Sequence, residues 1–373
     1  MKVLGLMSGT SADGVDIALI SIQGHKIKLD ACKTFPYPSK LKVKILNAQN
    51  LKLPQISALN FEIGYFFANS ALRFLKEKTI SRKKIFCIGS HGQTVFHKTS
   101  GLQKEWNTFQ IGEPSIIAAK LQAPVVTDFR PKDIALGGQG APLTPYFHYS
   151  FFKKRNSLCV HNLGGMSNVT FIPFSNQKLK VLAFDTGPAN CLIDGVIRSI
   201  SKGRLNFDKG GRFASQGQIH WSLVKKWLKH PYFSKNIPKS CGQDEFGPKM
   251  ILSIMKACRH LDKKDIAATV TAFTAQSMIQ SYEKLILKKH KLKEIVFCGG
   301  GIKNTTLMRL IKQGLKKYSI SFKTFDDYGI DSHAVEAVSF AYMAYQCLKN
   351  KTNHLPQTTG ASRETILGKI IKP

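Results

Sequence analysis

The chain has 373 residues and a mass of 41.5 kDa, with 55 Lys and Arg against 23 Asp and Glu, a formal charge of +32 and a pI near 9.9. That length exceeds one small core and suits two domains, while 43% hydrophobic and 21% charged residues exclude wholesale disorder. No apolar run approaches the roughly 18 residues needed to span a bilayer, and the apolar stretch 3–7 gives way at once to Ser8, Thr10 and Asp13. Neither a membrane span nor a signal peptide is read, and the expected compartment is the cytoplasm.

In chain order, residues 3–20 read as strand, polar turn and strand, with Gly9 and Gly14 bracketing the turn. A third strand is expected at 26–33, a helix at 55–78, and a buried strand at 84–89 that ends in Ser90-His91-Gly92-Gln93-Thr94. A short helix follows at 114–121, then a strand at 124–127 running into Asp128-Phe129-Arg130. The Gly-rich loop Gly137-Gly138-Gln139-Gly140 marks a boundary. Beyond it the pattern restarts: strand 157–163, turn Gly164-Gly165, strand 167–172, an echo of the opening hairpin about 155 positions later. Next come a strand at 181–185, a helix at 189–200 entered from Pro188, and helices at 216–229, 248–261 and 264–288. A strand at 294–298 runs into Gly299-Gly300-Gly301 and a helix from Asn304; the last helix is 332–348, with a turn-rich tail. Strands alternating with helices indicate an α/β fold in two related halves.

The eight cysteines, at 32, 87, 159, 191, 241, 258, 298 and 347, form no C-x-x-C pair and several lie in apolar runs, so they read as buried free thiols. The positive charge is spread over Arg82-Lys83-Lys84, Lys225-Lys226, Lys263-Lys264, Lys288-Lys289 and Lys316-Lys317. With 45 lysines against 10 arginines and no basic run interleaved with aromatics, it reads as a solvated surface and not as a nucleic-acid footprint.

Four segments share one design, a strand end followed by glycines or small hydroxyl residues: 7–16, 91–94, 185–190 and 299–304. Glycine lets a ligand approach the backbone, and N–H groups in such turns cradle anionic oxygens. Neither the Walker spacing nor a G-x-G-x-x-G at the first strand is present. The arrangement that fits has one hairpin in each of two domains facing phosphates, with the late Gly-Gly-Gly helix start holding an adenosine. Asp13, Asp16 and Asp185 are acids of the kind needed for water-bound magnesium and for a general base. Any one of these turns taken singly is more often a tight turn with a capping residue, and it is the set of four at strand ends that favours a phosphate site.

Gly9-Thr10-Ser11-Ala12-Asp13-Gly14-Val15-Asp16, Ser90-His91-Gly92-Gln93-Thr94, the 137–143 loop, Asn162-Leu163-Gly164-Gly165-Met166-Ser167-Asn168, Phe184-Asp185-Thr186-Gly187-Pro188-Ala189-Asn190, the 298–304 segment and Glu336-Ala337 together resemble the anhydro-N-acetylmuramic acid kinases. The resemblance runs nearly end to end, with slight departures at Ala12, where Leu is common, and at Ala189, where Gly is frequent. It implies a two-domain, actin-like (hexokinase-type) ATPase fold of ribonuclease H-like repeats with a deep interdomain cleft. Residues 1–134 would carry the phosphate hairpin. Residues 135–373 would carry the catalytic Asp and adenosine motif, the last helix and tail being candidates to return to the first domain.

The implied reaction is ATP-dependent phosphorylation of O6 of 1,6-anhydro-N-acetylmuramic acid as water opens the anhydro bridge, in peptidoglycan recycling. The rival readings are a kinase for another anhydro or amino sugar and a basic, ATP-binding regulator that touches nucleic acid. The resemblance assigns Asp185 as general base, a role that the residues alone leave balanced against a turn carboxylate. It assigns residues 9–16, Gly165, Gly299, Gly300, Gly301 and Asn304 to ATP, and Ser8, His91, Arg130, Asn190 and Glu336 to the sugar. The Arg130 guanidinium suits the sugar's lactyl carboxylate, and Asp13 is left between sugar and magnesium. Mg2+ held through waters, no directly ligating residue, a homodimer, and no nucleic-acid or membrane partner complete the expectation.

Overall fold

The computed structural model describes residues 1–153, 155–174 and 177–373. Twelve strands are present among them. The first six are β1 (Lys2–Ser8), β2 (Gly14–Gln23), β3 (Lys26–Pro36), β4 (Ile85–Lys98), β5 (Asn107–Ile111) and β6 (Val125–Thr127). The rest are β7 (Leu158–Leu163), β8 (Met166–Ile172), β9 (Leu182–Pro188), β10 (Glu294–Cys298), β11 (Ser321–Thr324) and β12 (Lys369–Ile371). The chain divides into two compact units, Met1–Phe151 joined by Tyr328–Pro373, and Phe152–Asp327.

In the first unit the sheet order is β12-β6-β4-β1-β2-β3, with β5 paired to β4. The β1–β2 and β2–β3 pairs are antiparallel, whereas β1–β4 and β4–β6 are parallel. The second unit repeats this plan as β11-β10-β7-β8-β9, again with three antiparallel strands and then parallel additions on the far side of the first. Three antiparallel strands extended by parallel crossovers make a ribonuclease H-like sheet. Two of them in one chain give the actin-like ATPase architecture that the sequence led one to expect.

One face of the first sheet is covered by the helix Leu53–Glu77, whose Ile63, Phe67, Ala71 and Phe74 pack with Leu4, Leu6, Ile17 and Ile88. The other carries the helix Val335–Leu348, which lies so close that only glycine fits beneath it. A Cβ at Gly5 would lie 1.9 Å from the Ala337 carbonyl oxygen, and one at Gly89 2.1 Å from that of Phe340. The second unit is organised on the helix Lys263–Ser281, buried almost all round, as its lack of a polar face requires.

Several elements differ from the sequence reading, and the helix expected at 248–261 ends at Ala257. The strand expected to stop at residue 89 continues to Lys98, because β5 pairs with its far half from Gln93 to Lys98. The helix expected at 216–229 is only Trp221–Trp227. There Gly217 is pressed against the Lys264 backbone and Gln218 N donates to Asp265 Oδ1 at 2.8 Å. The helix expected at 264–288 gives way after Ser281 to a wider π turn, Tyr282–Leu287. All eight cysteines are free. Among the described residues, no helix is long and apolar enough to cross a membrane.

Candidate functional site

In both units the residues singled out by the sequence gather at the carboxyl ends of the parallel strands, the edge at which open α/β sheets bind ligands. In the first unit that edge is built on the β1–β2 hairpin. Ser8 is buried at the end of β1, with Gly14 O at 2.8 Å and Gln93 Oε1 at 2.6 Å as acceptors, and accepts from Tyr37 OH at 3.1 Å. Gln93 Nε2 donates to Gly9 O at 3.2 Å, so the β4 segment braces the turn. Ala12 takes φ +51 and its N–H donates to Gly9 O at 3.1 Å. The Ala12 and Val15 side chains are core, and Gly14 is pressed against Phe35, so these three offer ligands only backbone. Thr10 and Ser11 stand exposed at the tip, and among the described residues nothing accepts from their backbone N–H groups. Asp13 is exposed and paired with Lys42 at 2.5 Å. Asp16 is half-buried, with Oδ1 accepting from Thr34 Oγ1 at 2.5 Å; burial raises its pKa and the Thr34 bond opposes this.

Beside the hairpin, β4 carries His91 and the end of β6 leads to Arg130. Arg130 Nε donates to His91 Nε2 at 2.9 Å, and Nη1 to Gly140 O at 2.6 Å. His91 Nδ1 then donates to Gly92 O at 3.0 Å, which fixes the neutral tautomer. Burial and the adjacent guanidinium hold His91 well below the ordinary histidine pKa. Arg130 is lowered by burial to about 10, against the pull of Glu336 and Asp133. The structure thus brings His91, Arg130 and Glu336 together, with both His91 nitrogens engaged by protein. Asp133, which the sequence did not flag, is fully buried. It accepts from Gly140 N at 2.6 Å and Thr359 Oγ1 at 2.7 Å, with His354 Nε2 at 2.5 Å, and so locks the loop that Arg130 grips.

In the second unit the edge is formed by the ends of β7, β9 and β10. The Gly164-Gly165 turn folds over the start of the helix Asn190–Ile200. Gly165 O accepts from Ala189 N (3.1 Å) and Cys191 N (3.0 Å), and Gly164 O from Asn190 N (3.1 Å). Asn190 Nδ2 donates to Leu163 O at 3.2 Å. Residues 299–301 pack on this hairpin. A Cβ at Gly299, where φ is +83, would lie 2.3 Å from Asn162 Oδ1, and one at Gly301 2.7 Å from Leu163 Cβ, while Gly300 faces open space. Asn304 Oδ1 caps the helix Thr305–Leu315 by accepting from Leu307 N at 3.0 Å. Thr305 and Thr306 tie that helix to Gly210 and Gly211 in a loop folded around Asp208, another segment the sequence left unremarked.

Asp185, on β9, is held on three sides. Its N–H donates to Lys239 O (3.0 Å), its carbonyl accepts from Tyr232 OH (2.6 Å), and Oδ2 accepts from Cys241 N (2.9 Å). Burial pushes its pKa up to about 7, although the Cys241 N–H and the Lys239 charge pull the other way. Tyr232, Lys239 and Cys241 lie 47 to 56 residues along the chain, and no local signal joins them to Asp185. Among the described residues, no three His, Cys, Asp or Glu side chains are grouped to hold a metal ion.

A model of the family described as anhydro-N-acetylmuramic acid kinase matches residues 1–373. A relative of that name from Caldanaerobacter subterraneus subsp. tengcongensis is 40% identical over 382 residues, covering 99% of this chain and 96% of its own. One from Bacillus thuringiensis subsp. konkukian is 37% identical over the whole of both chains. Among solved structures, component A of the Acidaminococcus fermentans (R)-2-hydroxyglutaryl-CoA dehydratase aligns with a TM-score of 0.48 and 13% identity, over 93% of this chain and 98% of that one. A ROK family glucokinase from Streptomyces griseus aligns with a TM-score of 0.38 and 11% identity, over 93% and 100%.

Proposed function

We propose a division of labour among these residues on one premise: the chain belongs to the anhydro-N-acetylmuramic acid kinase family, whose pattern it matches throughout. As a member it is an ATP-dependent kinase. It phosphorylates O6 of 1,6-anhydro-N-acetylmuramic acid while water opens the anhydro bridge, giving N-acetylmuramic acid 6-phosphate and ADP in the recycling of cell-wall sugar.

The observation that carries the catalytic assignment is the held carboxyl of Asp185, with its pKa at about 7. A base acts best when its pKa lies near the working pH. Asp185 takes a proton from the water whose oxygen bonds to C1; the C1–O6 bond breaks, and its electron pair leaves O6 free to attack the γ-phosphorus as ADP departs. The N–H groups of Thr10 and Ser11 receive phosphate oxygens, with the hairpin held open by Gln93 and Ser8. Gly165, Gly300 and the turn between Gly299 and Gly301 give the nucleotide close backbone approach. Asn304, whose Oδ1 serves the helix, offers it only Nδ2.

Arg130 meets the sugar's carboxylate with the Nη end of its fork, and Glu336 and Asn190 face hydroxyl or amide groups of the same molecule. His91 acts through Arg130, whose Nε it holds. Asp16, whose Oδ2 accepts no hydrogen bond among the described residues, and Asp13 are the carboxylates that fit magnesium held through waters, and the ion would neutralise phosphate charge. The reaction is placed in the cytoplasm, where ATP is available. A homodimer is proposed as the working form, for which sedimentation gives a direct test.

The test of the base is Asp185→Asn in a coupled ADP-release assay. Turnover falls at least about 100-fold while ATP still binds; near-normal kcat refutes the assignment.

A further inference from the structure

Lys239 is 6% exposed, an unusual state for a lysine. It follows Pro238 within the second unit, and its Nζ rests 4.6 Å from the centre of the Tyr232 ring. The same Tyr232 donates to Asp185 O, and the Lys239 carbonyl accepts from Asp185 N. Lysine and candidate base are therefore locked to each other through backbone and ring. The stem is buried but the Nζ is not among the enclosed polar atoms left without a partner, so its three donors are open to a ligand. Among the described residues no carboxylate pairs with Lys239 and no acceptor takes a hydrogen bond from it; the Tyr232 face is its contact. The surroundings are cationic: Lys235 also lies over Tyr232, at 5.4 Å, and Lys284 adds to the field. The nearby acids are Asp185 itself and Glu245, which is engaged by Lys235 at 3.4 Å.

We propose that Lys239 is an anion-receiving group of the reaction centre, its Nζ donating to an anionic oxygen of a bound substrate beside Asp185. That oxygen belongs either to the transferred phosphoryl group or to the lactyl carboxylate of the sugar. The proposal rests on Asp185 marking the reaction centre. Burial lowers the Lys239 pKa, with Lys284 adding to the effect and Cys241 and Asp185 opposing it only in part. A ligand anion supplies the hydrogen-bonded counter-charge that no carboxylate makes with Lys239 among the described residues.

The test is Lys239→Met, which keeps the stem over Tyr232 and deletes the charge. It is assayed with 1,6-anhydro-N-acetylmuramic acid and with 1,6-anhydro-N-acetylglucosamine, which has no lactyl group. A carboxylate contact raises KM for the first sugar roughly 10- to 100-fold with kcat kept, and leaves the second unaffected. A phosphoryl contact lowers kcat for both sugars by a similar factor with little change in KM. Either result supports the proposal. Values of kcat and KM within about twofold of wild type overturn it. Should the Met variant not fold, as judged by circular dichroism, Lys239→Gln is read by the same criteria. Full turnover by Asp185→Asn with Lys239→Met impaired would reject the base assignment and keep the anion contact; the reverse pattern would reject only the contact.

Discussion

The carboxyl of Asp185 ties catalysis to stability with a definite sign. Its pKa stands at about 7 in the folded chain against 3.8 for an exposed aspartate. At pH below 4 both the folded and the unfolded chain hold the proton, and no cost arises. As pH climbs from about 4 to about 7, the unfolded chain releases the proton and the folded chain retains it, so stability falls. Above about pH 7 the decline is complete, and at 1.36 kcal/mol per pH unit it amounts to about 4 kcal/mol. Asp185→Asn removes the titration but keeps an oxygen to accept from Cys241 N. The variant is therefore expected to match wild type in stability near pH 4 and to exceed it at pH 8, while losing turnover. Each kcal/mol moves the Tm of a domain this size by about 2–4 °C, so a gain of several degrees is expected. Thermal unfolding followed by circular dichroism at half-unit steps from pH 4.5 to 8.5 gives the curve. A Tm difference that does not grow with pH, or an Asn variant less stable at pH 8, refutes the reasoning. In wild type the same titration makes kcat at pH 6 about tenfold lower than on the alkaline plateau.

Gly5→Ala places a methyl group 1.9 Å from the Ala337 carbonyl and forces the helix Val335–Leu348 off the sheet. A loss of about 3 kcal/mol or more is expected in urea unfolding, against the 1–3 kcal/mol of ordinary overpacking. Arg130→Ala raises KM for the anhydro sugar at least about tenfold and leaves KM for ATP nearly unchanged; equal effects on both reject a sugar contact. Tyr232→Phe removes the hydroxyl that holds Asp185 O and lowers kcat by about five- to tenfold with both KM values retained, read in the coupled assay.

Turns and their strands were legible because their signal is local. Residues 3–20 and 157–172 announce hairpins through glycine placement and alternating apolar runs, and both form. The bracing of those turns was not legible. Gln93 reaches Gly9 across 84 residues, and Cys241 reaches Asp185 across 56. These bonds exist only once the sheets have formed. Short edge strands escaped for a related reason: β5, β11 and β12 have three to five residues each and acquire strand geometry from the partner they pair with. Gly217 falls inside the helix expected at 216–229, but the Lys264 backbone occupies the space beside it and the helix begins only at Trp221. His91 carried the opposite lesson. Its place in a motif was visible, yet the use of both ring nitrogens by Arg130 and Gly92 was not.

The close seat of the helix Val335–Leu348 on Gly5 and Gly89 bears on the order in which the chain matures during synthesis. β1 and β4 leave the ribosome early, but the helix that covers them follows only after the whole of Phe152–Asp327 has been made, on the order of ten seconds at ordinary elongation rates. Through that interval one face of the first sheet is bare, and β6 lacks its neighbour β12. The uninterrupted second unit has no such wait. The nascent first unit is thus the part of the molecule whose sheet stays longest without its cover, and premature arrest before residue 335 leaves that sheet with one face uncovered.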